Sequence, residues 1–306
     1  LAQSVESFDL AADRAGFVGL QVLTPIDVAK ASGNFGVIPL EQLLNNPDTE
    51  RAPGTGYQRV RFSFTPSTYT TLEHGLEVPV DNTESTMYDS YFKSEQISAE
   101  LAIDGVLRSM EIRIATICQA TGTFANAAAA YGWSTHATAT PLEDVETAVE
   151  SIFAACGLWP NAIVIPRQTF RQLRLVAEIQ NLIKYSGLQD PSPEKITPNA
   201  IAALFDLERV LVAGGAQNTA NEGQSGSIAG IWSKSSVFVF RGDWGDNPKR
   251  PCVGRTFHWD EAGSAIGGTM ESYPEPQTNG EVIRCRNQTD ELTIIAKAGN
   301  IITNAY

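Results

Sequence analysis

The sequence predicts an α+β fold in which the chain leaves one lobe, builds a compact α/β lobe in its middle, and returns to the first. Three observations carry this. A broad apolar stripe at helical spacing runs between Ser85 and Ala120; strands and helices alternate from 141 to 245; and strand-like stretches flank both, at 57–80 and 251–306.

In the first 50 residues the apolar positions (Phe8, Phe17, Val22, Phe35, Ile38, Leu43) are interrupted by Gly16, Gly19, Gly33, Gly36, Pro25 and Pro39 and keep no period. This predicts an extended arm that packs on other surfaces. From Tyr57 to Val80 the residues turn β-branched and aromatic, YQRVRFSF and then TYTTLEHGLEVPV beyond Pro66, as in a long two-stranded loop. The helical stripe that follows uses Ile97, Leu101, Ile103, Leu107, Met110, Ile114 and Ile117, with Asp104 and Arg108 as an i,i+4 charge pair. Some 30 residues at about 1.5 Å each make a rod of about 45 Å.

Thr140, Pro141 and Glu143 form a capping-box helix start, and that helix is predicted to end near Gly157. A strand NAIVIP (161–166), a helix from about Gln168 to Tyr185, a second Thr-Pro start at Thr197 and a strand RVLVAG (209–214) come next. SIAGIW and SVFVF, around SKSS, are predicted to form a hairpin over 228–240, after a polar loop from Gly214 to Gly226. In the tail, EVIRCR and ELTIIA read as two strands, the first preceded by an Asn279-Gly280 turn.

Composition narrows the function. At 306 residues and 42% hydrophobic, the chain buries a real core. Its 22 basic against 35 acidic residues, a net charge of −13, argue against a protein that grips nucleic acid. The four scattered cysteines show no metal spacing and are expected to be reduced thiols. No apolar run reaches the roughly 18–20 residues that span a bilayer, and no signal segment is evident at the start, so the expectation is a protein made and used in the cytoplasm. His74, His136 and His258 lie far apart, and neither GxSxG, HExxH nor GxxxxGK[ST] occurs. No catalytic residue, cofactor or metal is expected. Phe62, Phe64 and Tyr69 beside Arg59 and Arg61 have the make-up of a nucleic-acid stacking platform, but nearby Glu73, Glu77 and Asp81 favour packing on a neighbouring subunit.

RAPGTGYQRVRFSFTPSTYTTLEHGLEVPVDNTE, followed by YDSYFKSEQISAELAIDGVLRSMEIRIA, resembles the extended loop and spine helix of tailed-bacteriophage (Caudoviricetes) major capsid proteins. Four further blocks agree in order and spacing: residues 133–148, 160–185, 196–215 and 255–305. The resemblance implies the Hong-Kong-97-type capsid fold: an N-terminal arm (1–50), an extended loop (51–84), a peripheral domain with the spine helix (85–140 and 250–306) and an α/β axial domain (141–249). It implies a shell subunit whose main partner is itself, in hexamers and pentamers, with portal, scaffolding and decoration proteins as further partners. Packaged DNA would be touched loosely, and no membrane is involved. Phe62, Phe64, Tyr69 and Leu72 are the expected interface anchors. Some members of this fold cross-link a loop Lys to an Asn; no Lys lies between Lys30 and Lys93, so no such bond is expected. An encapsulin-type compartment is the alternative within the fold, and an α/β enzyme on 141–245 the alternative outside it.

Overall fold

The computed structural model describes residues 10–306 except 62, 89–92, 186–195, 222, 246, 248, 261 and 262. In chain order, α1 (Leu10–Arg14), α2 (Gly19–Val22) and β1 (Pro25–Val28) open the described chain. β2 (Ser32–Val37), α3 (Leu40–Leu43), β3 (Thr65–Thr70), β4 (Leu72–Asp81), α4 (Asn82–Tyr88) and the spine helix α5 (Ser94–Cys118) follow. Next come β5 (Ala125–Ala128), α6 (Pro141–Cys156), β6 (Ala162–Pro166), α7 (Arg167–Leu173), α8 (Ala177–Tyr185), α9 (Pro198–Leu204) and β7 (Arg209–Ala213). The remaining elements are β8 (Ala216–Asn218), β9 (Ile228–Gly230), β10 (Val237–Phe240), β11 (Gly254–Trp259), β12 (Thr269–Glu275), β13 (Gly280–Thr293) and β14 (Gly299–Thr303).

Two five-stranded sheets organise these elements. The peripheral sheet runs β1-β11-β13-β12, with β4 on the other side of β13. EVIRCR and ELTIIA, expected as two strands, largely share the single strand β13: its first half takes β12, its last five residues take β11, and β4 lies along residues 280–289. The Asn279-Gly280 turn is where expected, with Asn279 at φ 51° closing β12 onto β13. The axial sheet runs β5-β14-β10-β6-β7. Strands β6 and β10 are buried on both faces, which is why they read as continuous apolar runs.

Side-chain alternation in the axial sheet separates two cores. Ile163, Ile165, Val237, Val239 and Ile302 face helices α6–α9, meeting Val145, Ile152, Phe170, Leu173, Ile179 and Ile201. On the opposite face Val164, Phe238, Phe240 and Ile301 meet Met110, Ile114 and Cys118 of α5. The other half of α5 presents Ala102 and Val106 to Cys285 of the peripheral sheet. At 25 residues, about 37 Å, the helix is long enough to be shared by both lobes.

Several expectations are corrected. The buried stripe of α5 is Ser98, Ala102, Val106, Met110, Ile114 and Cys118, whereas Leu101 is exposed. The arm is partly built into its own subunit: Val18, Val22 and Leu23 are buried against α5, and β1 lies parallel to β11. The two-stranded loop exists, but it is β2 with β3, Ser32 opposite Thr70; β4 joins β13 instead, and 57–64 contain no strand among the described residues. β9 pairs with β8 and β10 with β6 and β14, so the 228–240 hairpin is not formed. The 168–185 helix is two helices, α7 and α8. α6 starts and ends as expected, with Gly157 at φ 68°, but Thr140 makes no side-chain cap bond; Leu142 N–H donates to Glu178 at 3.3 Å instead. At α9 the Thr197 cap is made, its hydroxyl accepting from Ala200 N–H. The tail also feeds both lobes, since β14 is an inner strand of the axial sheet.

All four cysteines are free and buried. Burial pushes up the thiols of Cys118, Cys252 and Cys285, and the Glu111 charge adds to the effect at Cys118. Because the thiolate is the nucleophile, a thiol-reactive disulfide reagent is expected to label none in the native subunit and all four after denaturation. Rapid native labelling would contradict the packing described.

Candidate assembly surfaces

The rigid part of the molecule is fastened by polar groups on α5. Glu111, 3% exposed, accepts from Val18 N–H at 3.0 Å, Gly19 N–H at 2.7 Å and the Trp232 indole N–H at 2.7 Å. One carboxylate thereby joins the arm, the spine and the axial side. Position 19 requires glycine, because a Cβ there would lie 2.5 Å from the carboxylate. Burial pushes the Glu111 carboxyl above the usual range, while the three donors pull it back. The expected Asp104–Arg108 pair is present at 2.8 Å; Arg108 also reaches Asp13 at 2.7 Å and the Ala216 carbonyl. Arg113 makes a two-pronged contact with Glu291 that ties α5 to β13.

On the peripheral-sheet face turned away from α5, Glu271 bridges Arg284 and Arg286, while Glu77 and Glu73 approach the same two guanidiniums at 3.8 and 3.6 Å. Glu73 and Glu77 are thus part of a cross-strand charge ladder. The hydrogen bonds from Arg286 and Arg284 hold the Glu271 carboxyl down at about 2, against an ordinary value of 4.5. Its contribution to stability is therefore present above pH 4.5 and is lost as pH falls toward 2. Glu271→Gln is expected to flatten that part of an acid-unfolding curve and leave the curve above pH 5 unchanged in slope.

His258 Nδ1 lies 2.7 Å from Asp27 Oδ1, and Nε2 lies 3.2 Å from Ser264 Oγ. The connectivity is that of a hydrolase relay. Yet His258 and Ser264 are buried, and the Ser264 hydroxyl also accepts from Gln288 N–H, so the group acts as a strut linking β1, β11 and β13. Among the described residues no group of three His, Cys, Asp or Glu is placed to hold a metal ion.

The exposed apolar side chains concentrate on the β2–β3 ribbon and its tip. Tyr69 stacks on Phe257 at 4.8 Å, and Phe35 sits 5.4 Å from the same ring, so the root of the ribbon is held on the peripheral sheet. Beyond it, Leu43, Leu44, Tyr57, Val60 and Phe64 are exposed. The tip is braced internally by reciprocal hydrogen bonds between Gln42 and Ser63, both 2.8 Å. Of the expected anchors, Phe64 is 69% and Leu72 61% exposed, Tyr69 is half-buried on its own subunit, and Phe62 lies outside the described residues. Sequence reasoning named Leu43 only as an apolar position of the arm, and it missed Leu44, Tyr57 and the stacked, exposed pair Phe153–Trp159, whose ring centroids are 4.3 Å apart.

No family model matches the chain. It is 25% identical over 291 residues to a major capsid protein of Pseudomonas phage JBD67, covering 93% of this chain and 90% of that one. It is also 25% identical over 253 residues to a major capsid protein of Burkholderia phage BcepMu, covering 79% and 78%. Among solved structures, a phage-related protein of Bordetella bronchiseptica RB50 superposes with a TM-score of 0.67 at 19% identity, covering 99% of this chain and 98% of that one. The capsid of cyanophage P-SCSP1u gives 0.59 at 10% identity, covering 92% and 86%. The SrpI encapsulin of Synechococcus elongatus PCC 7942 gives 0.54 at 8%, covering 98% and 91%. The sequence relatives over most of the chain are phage major capsid proteins, and capsid structures superpose on nearly all of it: the chain is similar to bacteriophage major capsid proteins and has the Hong-Kong-97-type capsid fold.

Proposed function

We propose that this chain is the repeating subunit of a tailed-phage head, assembling with itself into hexamers and pentamers of an icosahedral or prolate shell around double-stranded DNA. The observation that carries this reading is the β2–β3 ribbon: its root is locked on the peripheral sheet, while its tip displays Leu43, Leu44, Tyr57, Val60 and Phe64 to solvent. Apolar groups left exposed on a braced ribbon suit a contact with another copy. Phe62, Phe64, Tyr69 and Leu72 are assigned to that contact, Tyr69 by fixing the ribbon's angle.

The arm (1–50), extended loop (51–84), peripheral domain (85–140 and 250–306) and axial domain (141–249) keep these boundaries as a working division, with β2 of the arm pairing across to β3 of the loop and with β5 and β14 counted to the axial sheet. The role is structural, without chemistry. Assembly takes place in the host cytoplasm with scaffolding and portal proteins, a decoration protein is accommodated outside, and the inner wall touches DNA loosely.

Purified wild-type chain, examined by light scattering and electron microscopy, is expected to form closed shells of megadalton mass. A stable monomer with and without a scaffold would overturn the reading. Because a charge of −13 repels copies, assembly is expected to become easier as salt rises, with the Debye length about 8 Å at physiological strength. The likeness to an encapsulin favours one alternative, a protein-storing compartment. DNA rather than an enzyme inside native particles separates the two.

A further inference from the structure

Most arginines described above are spent on carboxylates of their own subunit, yet two on α7 are not. Arg167 and Arg171, one helical turn apart and both exposed, make no ion pair or hydrogen bond within the described residues. They border a cleft of about 260 Å³ that also includes Gly214, Gly215 and Ile228, and Ile228 is 75% exposed.

A matching surface lies on α6. Glu143, Glu146 and Glu150 recur at helical spacing on its exposed side, equally without partners among the described residues, and the same stripe ends in Phe153 stacked on Trp159. α6 lies over β5, β14 and β10, whereas α7 lies over β6 and β7. The two surfaces therefore occupy opposite halves of one sheet.

We propose that the Glu143–Glu146–Glu150 stripe of one copy docks on Arg167 and Arg171 of the next, with the Phe153–Trp159 pair and Ile228 as its apolar flanks, so that axial lobes close head to tail into a ring. The occupant is a second copy of this chain, chosen by charge complementarity: in a −13 subunit, a basic i,i+4 pair is matched by an acidic stripe at i,i+3 and i,i+4 spacing, both without partners among the described residues. Such a contact is heterologous, which is the kind that closes into rings. The inference rests on the shell-subunit reading.

Charge reversal tests it. Arg167→Glu/Arg171→Glu and Glu146→Arg/Glu150→Arg are each expected to raise the concentration needed for assembly about tenfold or more, and the four substitutions together to restore it to within about threefold. General repulsion predicts otherwise for the second variant, which makes the subunit less negative and should then assemble more readily. All four positions are exposed, and thermal unfolding of each variant reports whether the fold is intact; a variant that melts early is replaced by its Gln counterpart, for which a smaller rise is expected. The proposal is overturned if either double variant assembles like wild type, or if the folded fourfold variant fails to recover. Arg167→Glu/Arg171→Glu shells that form normally but lose DNA would overturn it too, by assigning the arginines to the genome. A wild-type chain that never assembles would instead bring down the shell reading, and this contact with it.

Discussion

Glu111→Ala is expected to lower the stability of the folded subunit by about 3–5 kcal/mol, seen as a fall in the urea midpoint. Three buried donors, Val18 N–H, Gly19 N–H and the Trp232 indole, lose their common acceptor at once. Each orphaned donor costs about 1–3 kcal/mol, and relaxation of α2 recovers part of the total. Glu111→Gln is expected to cost less: its oxygen still serves Val18 and Trp232, but its amide then faces Gly19 N–H. The two variants also differ from wild type in pH dependence. With its carboxyl raised by burial, native Glu111 contributes stability fully only below the ordinary Glu range, and that contribution is lost as pH rises through the raised value; both variants lack that slope. An alanine variant within about 0.5 kcal/mol of wild type would show that the arm is not held here.

Phe64→Ser/Leu72→Ser is expected to abolish assembly at concentrations where wild type closes, while the subunit's own melting temperature stays nearly unchanged. Both side chains are mostly solvent-exposed in the single chain, so little is lost there. In a shell, burying each contributes about 1.5–3 kcal/mol, and the loss recurs at every copy. Light scattering against concentration, beside a thermal melt, measures both halves of the expectation. Normal shells from the double variant would remove these two residues from the interface. Tyr69→Ser should behave differently, lowering subunit stability through the lost stack on Phe257.

What could be read from sequence was what neighbouring residues decide. Thr140-Pro141 and Gly157 delimit α6 to the residue, and Thr197-Pro198 starts α9, because a helix end is a local event. The runs at 161–166 and 209–214 are strands because they are apolar and short. Long-range partners decided the rest. Asp104 and Glu111 interrupt the apolar stripe of α5, yet both are buried: the i,i+4 spacing to Arg108 announces the first, whereas the arm's amides reach Glu111 from a distant segment that no local pattern announces. Residues 228–240 look like a hairpin around SKSS, but β10 is claimed by β6 and β14 on its two sides and has no edge left for β9. At the surface, aromatic and β-branched residues marked the loop as interactive. Which of its residues turn outward depended on the ribbon's register with β2, which placed Tyr69 on Phe257, while Phe64, just before β3, lies in solvent.

The position of β14 bears on quality control during synthesis. Residues 299–303 slot between β5 and β10, and their pairing aligns Asn300 with Ala125 and Ile302 with Val237. Until they have left the ribosome, the axial sheet is split, with β5 detached from β10, β6 and β7 and the apolar edges of both parts open to water. A nascent or prematurely terminated chain therefore cannot present a finished axial lobe to its neighbours. One five-residue strand thus couples β5 to the rest of the sheet, and a chain broken before residue 299 leaves the edges of β5 and β10 without it.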